Sequence, residues 1–156
     1  MVLIKTILLG GAFLYAMNSA PHHLEKMRAL YLQAGVSERA CKELLAFAKA
    51  NETTADVLTT GYRGAASMIM AKFAGNPFSK ISWFRQGRTM LEKAIRASGG
   101  CPELRYLRYC VQTHCPRFLG YHRDIESDRA CLQLAMTGGA DGELKEMIRA
   151  ALTPGR

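Results

Sequence analysis

From Leu24 to Leu152, apolar residues return every three or four positions, and no segment alternates β-branched with polar residues over a strand's length. That property confines the chain to an all-α fold. Side chains three and four apart share a helix face, so each apolar run needs a neighbouring helix to cover it. The stops between runs are just as regular. Gly35, Asn51, "GNPF" at 75–78, "SGG" at 98–100, Pro116 and "GGADG" at 138–142 divide the chain into about seven helices. At 156 residues, with no long linker, these form one domain with its own core.

The first helix is expected to begin after Pro21, with Leu24, Met27, Tyr31 and Ala34 on one face. Ser37 is the expected N-cap of the second, which turns Cys41, Leu44, Leu45 and Ala48 inward. A third, over about 55–73, carries a large stripe (Tyr62, Ala65, Ile69, Phe73) and a small-residue patch at Gly61, Gly64 and Ala65. A glycine inside a helix costs about 1 kcal/mol relative to alanine, which close approach of a neighbouring helix offsets. The fourth, over about 79–97, places Trp83, Phe84, Gly87, Met90, Leu91, Ala94 and Ile95 at helical spacing, toward the core. Pro102 suits the first position of the fifth helix. Pro116 disfavours helical geometry at Cys115, so that helix ends near His114. "RFLGY" at 117–121 then reads as a loop plugged by Phe118 and Tyr121. Two further helices, near 124–136 and after 142, complete the array.

The amino terminus follows a different pattern. "MVLIKTILLGGAFLYAM" has Lys5 followed by an uncharged apolar stretch, the length of a signal-peptide core and short for a membrane span. Residues 1–20 are therefore expected to direct export to the periplasm or beyond, leaving residues 21–156 as the helical domain. Asn18 and Pro21 flank the cleavage point unfavourably, so an uncleaved amino-terminal anchor stays open. No cysteine follows the stretch, which excludes a lipoprotein signal. Membrane contact is expected only if these residues are retained.

The net charge of +8 invites a nucleic-acid reading. However, the basic residues are interleaved with acids along the whole chain, and no run of five like charges exists. Solvated helix faces account for that distribution, and no nucleic-acid partner is expected.

The densest chemistry lies in "CPELRYLRYCVQTHCPRFLGY" at 101–121. Cys110 and His114 share a helix face and can supply two of the four ligands of a zinc ion. No second pair at ligand spacing follows. The adjacent His114 and Cys115 point about 100° apart on a helix, which does not make a catalytic pair. No phosphate-cradling loop or hydrolase elbow occurs, and no cofactor is expected. A metal- or thiol-dependent enzyme built on 110–122 is the alternative to a binding protein. The five cysteines form no recognised disulfide framework and read as mostly core filler, with one bridge open.

In the same helix Leu104, Leu107 and Val111 make one stripe, and Arg105, Arg108 and Gln112 make another about 100° away. Two guanidiniums and an amide in a row form a candidate anion-binding stripe, expected at the core's edge along a groove. Ion pairing with Glu92, Glu103 or Asp128 is the commoner fate of such residues.

"GRTMLEKAIRASGGCPELRYL" at 87–107 resembles the junction between tetratricopeptide repeats. Gly87, Leu91 and Ala94 match the small, large and alanine positions of the repeat's second helix, and Gly61, Tyr62 and Gly64 resemble its first. The connection "AGNPFSKIS" is longer than the family's turn, and no 34-residue period recurs. "YRGAASMIMAKFAGNPFSKISWF" together with "ELRYLRYCVQTHCPRFLGY" also resembles a group of short exported bacterial helical proteins of unknown function. The first resemblance implies an irregular repeat-like array of antiparallel helices, and the second adds only the fold and export; stacked helix pairs leave a concave groove, which is expected to bind another protein or a peptide.

Overall fold

The computed structural model describes residues 10–53 and 55–153, with side chains from residue 22 onward. Among the described residues there are seven α-helices, one short 3₁₀ turn and no strand: α1 (Gly10–Ala34), α2 (Glu38–Asn51), α3 (Val57–Met70), α4 (Pro77–Ala97), α5 (Pro102–His114), α6 (Ile125–Thr137) and α7 (Gly142–Leu152). The expected signal segment lies outside the described residues up to position 9, and its remainder belongs to α1. Pro21 does not start that helix. Its fixed φ is already helical, so the helix runs through it with the loss of one backbone bond. Among the described residues no helix is long and apolar enough to cross a membrane.

Local chemistry sets the boundaries. Ser37, Asp56, Asn76 and Asp141 each cap a helix by accepting from a backbone N–H of its first turn. Pro77 and Pro102 occupy first-turn positions where no intrahelical N–H is needed. The end of α4 is closed by Gly99, at φ 66°, and by a bond of 3.0 Å from the Gly100 N–H to the Ile95 carbonyl.

From α1 to α4, consecutive helices run antiparallel. Lys26 reaches Glu43 and His23 reaches Phe47 between α1 and α2, while the Cys41 thiol donates to the Ala66 carbonyl between α2 and α3. The most extensive contact is between α3 and α4. There a Cβ on Gly64 would lie 2.7 Å from the Leu91 nitrogen and 2.8 Å from the Gly87 oxygen, so only glycine permits the approach. Tyr62, Leu44, Leu91, Leu104, Leu107, Leu132 and Ile148 are fully buried in one core. Trp83 is only half-buried, packed against that core rather than within it.

Candidate functional site: an apolar groove and two buried ion networks

Four helix ends meet at one end of the fold. The last turns of α1, α3 and α5 and the first turns of α4 have no helix laid across them, and they enclose an open groove of about 850 Å³. Its second wall is the segment after α5, where Pro116 stops the helix and Arg117–Leu119 form a 3₁₀ turn that Gly120 ends at φ 62°. Phe84, Tyr106 and Val111 are buried residues lining the groove. Phe118 does not plug the loop: it stands 84% exposed at the groove, and the plugging role falls to Tyr121, which is buried against Phe84 with ring centroids 5.8 Å apart. A three-residue turn carries too little periodicity for sequence to tell which of its aromatics faces inward. Leu32 and Ile81 also line the groove while exposed, and Phe78, in the first turn of α4 next to the lining Pro77, is exposed too.

No carboxylate lines this groove. Its ionisable groups are Lys72, Lys80, His114, two cysteines and two tyrosines. The Lys72 ammonium donates to the Gly35 carbonyl at 2.7 Å, tying the end of α3 to the end of α1. Burial pushes the Cys110 thiol up to about 11, against the lowering effect of the neighbouring Tyr106 and Tyr31 hydroxyls. Burial raises both phenols as well. These groups are uncharged at neutral pH and act as polar points in an apolar recess.

The metal alternative needs Cys110 and His114 to converge. Their side chains do not: Cys110 turns toward the two tyrosines, while the His114 Nδ1 lies 2.8 Å from the Cys110 carbonyl oxygen. Cys115 instead lies 3.7 Å from the His122 Nε2, a pair brought together by the loop. That nitrogen is also 3.1 Å from the Cys115 carbonyl oxygen, and burial raises the thiol's pKa, the reverse of what an activated nucleophile requires. Among the described residues no three His, Cys, Asp or Glu side chains are grouped to hold a metal, and all five cysteines are free thiols.

The stripe of Arg105, Arg108 and Gln112 faces α6 and α4 inside the fold, not the groove. Arg108 forms a bidentate pair with Asp128, Nε to Oδ2 and Nη2 to Oδ1, both at 2.7 Å, and its Nη1 reaches Glu92 at 3.1 Å. Asp128 and Gln112 are fully buried. Gln112 donates to Asp124 at 3.3 Å, and Arg105 reaches Asp128 at 3.4 Å. The Tyr121 hydroxyl donates to Glu92 at 2.6 Å. Leu107 fixes the helix so deeply that Arg108 and Gln112 on the neighbouring stripe are still interior, and only Arg105 is partly exposed.

A second ion network is centred on Arg28. Arg28 of α1 is 3% exposed and donates from Nε and Nη2 to both oxygens of Glu103 at 2.8 Å, and to Asp141 and Glu143 of the α7 start. The Tyr62 hydroxyl completes the Glu103 shell at 2.7 Å. One guanidinium thereby joins α1, α5 and α7, and Tyr62 adds α3. The sequence does carry a trace of it, since Arg28 stands in helical register between Leu24 and Tyr31, where an apolar residue is expected.

The fold and groove define a class: an all-α protein that buries its charged clusters in the interior and leaves an apolar recess open. No protein-family model, curated protein or solved structure matches the chain.

Proposed function

We propose that the chain is a non-enzymatic binding protein that takes an apolar segment of another protein into the groove at the ends of α1, α3 and α5. One observation carries this reading: an open recess of about 850 Å³ flanked by exposed Phe78, Phe118 and Leu32. An open recess of this volume lined mainly by apolar side chains is the usual form of a binding site, and burying its surface contributes about 25 cal/mol per Å². An amphipathic helix laid in an apolar groove is a common way of using that energy. The buried Gly87, Leu91 and Ala94 are in keeping with a tetratricopeptide-like pairing of α3 with α4.

We also infer export, on the apolar stretch behind Lys5. Fractionation that leaves the protein in the cytoplasm would remove that inference and leave the binding reading intact.

The binding test is selection from a displayed library of random 16-residue peptides against the full chain. Ile81→Arg, a change at a 40% exposed position, places a charge in the groove and should abolish capture without lowering the melting temperature. Peptides that bind the variant and the parent alike would show that the groove is not the site.

A further inference from the structure

The groove does not end at Phe84. Pro77, Lys80, Ile81 and Phe84 line it from α4, and Arg88, Glu92 and Arg96, four residues apart on the same helix, line a second cleft of about 210 Å³. The opposite wall is continuous as well: Pro116, Phe118 and Leu119 face the groove, and Gly120, Tyr121, Arg123 and Asp124 face the cleft. Tyr121 joins the two, with Phe84 against its ring edge-on and the Arg88 guanidinium 4.9 Å from its centroid.

The charges of the cleft are sorted by direction. Its two acids are engaged from inside, Glu92 by Arg108 and the Tyr121 hydroxyl, Asp124 by Gln112 with Arg108 3.8 Å away. Its three arginines face outward. Arg123 is 90% exposed and only 4.0 Å from Asp124, and among the described residues Arg88 and Arg96 have no carboxylate within 4.0 Å. An apolar recess without a single acid therefore opens into a cleft where three arginines outnumber two part-buried carboxylates, both already engaged from inside.

Resting on the binding reading above, we propose that the occupant is an acidic amphipathic peptide segment. Its apolar side chains sit between Ile81 and Phe118, and its carboxylates, to one side of those anchors, pair with Arg88, Arg96 and Arg123. The dimensions favour a peptide over a lipid. From Pro77 to Arg96 the α4 face spans about 28 Å at 1.5 Å per residue, the length of a five-turn helix. Arg88 and Arg96 are two turns, about 12 Å, apart, which suits successive carboxylates better than one phosphate headgroup.

The same displayed library tests this with a second variant, Arg88→Glu/Arg96→Glu, both changes at exposed positions. Peptides selected by the parent should combine apolar residues at helical spacing with an acidic flank. Their affinity should fall about tenfold in the double variant and should also fall with added salt in the parent. If the double variant does not fold, the parent's salt dependence and Arg88→Gln alone decide the matter. Apolar peptides without an acidic flank, bound equally by parent and double variant, would overturn the proposal and leave the groove reading standing. No enrichment over Ile81→Arg would overturn both. Binding to phosphatidylglycerol vesicles with no peptide enrichment would overturn it in favour of a lipid.

Discussion

Gly64 of α3 and Gly87 of α4 face each other across the most extensive helix contact in the fold: a Cβ on Gly64 would stand 2.8 Å from the Gly87 carbonyl oxygen, and one on Gly87 would come closer still to that of Gly64. Each glycine is the hole for the other's backbone. Because the obstacle is main chain, no rotamer change relieves it. Gly64→Ala should therefore destabilise by about 1–3 kcal/mol, and Gly64→Leu by more. Gly75→Ala, where a Cβ meets nothing within 4 Å, is the control and should be nearly neutral. Thermal melts of the three variants check the ranking.

The Arg28–Glu103 pair is both buried and bidentate, so removing one partner strands the other's charge. Arg28→Ala should cost about 3–5 kcal/mol. Tyr62→Phe removes one hydrogen bond from the same carboxylate and should cost about 1.5–3 kcal/mol, the range for bonds to charged groups. Urea titration of the two single variants and the double measures the coupling, which should be far from zero because the residues share Glu103.

Acid should loosen the same network. The Arg28 guanidinium holds the Asp141 carboxyl below its ordinary range, helped by the Leu144 N–H that it caps. A depressed folded pKa contributes stability above the unfolded value near 4, and that stability is lost as pH falls through the folded pKa. The urea midpoint should fall below about pH 4, and Asp141→Asn should make that fall shallower. Asparagine still caps the helix through its carbonyl oxygen, so the difference reports the carboxylate's charge together with its second bond to Arg28. Equal acid slopes would show that other carboxylates govern the transition.

Cys110 offers a chemical readout of the groove. Its thiol is pushed up to about 11 from an ordinary value near 9, so at pH 8 its thiolate is about a hundredfold scarcer than that of a free cysteine. Modification by a thiol reagent should be slow at pH 8 and should accelerate toward pH 11. A peptide in the groove should protect it further, since Cys110 lines that groove. Cys41, fully buried and likewise raised to about 11, should react only as the protein unfolds. Fast labelling of Cys110 at neutral pH would contradict its place among the tyrosines.

The all-α class, the seven helices and the Gly64 contact were legible because each is local or periodic. Apolar spacing identifies a helix face, and a glycine in mid-helix signals close approach. The groove was not legible, since it is made where helices end, and spacing along one helix says nothing about what lies beyond its last turn. Phe118 and Tyr121 illustrate this: three residues apart, they differ in exposure by most of a side chain. The Arg28 network joins residues 75 and 113 positions apart, a separation at which no pattern along the chain operates.

The two arginines of the Arg105, Arg108 and Gln112 stripe are held unequally. Arg108 meets Asp128 through two parallel bonds of 2.7 Å, and Asp128 has no exposed surface from which water could replace them. Lysine carries the same charge on a single nitrogen and cannot supply both bonds along with the contact to Glu92. Arg108→Lys should therefore cost about 1.5–3 kcal/mol. Arg105 is partly exposed and reaches Asp128 only at 3.4 Å, with no partner for its Nε, so Arg105→Lys should cost less than about 1 kcal/mol. Denaturant titration of the two variants separates the cases. Arg108 also holds Glu92, which lines the neighbouring cleft, so only Arg105→Lys leaves the proposed surface untouched, and peptide capture by that folded variant should match the parent. Loss of capture with unchanged stability would instead return the stripe to the binding surface and count against the α4 face as the site.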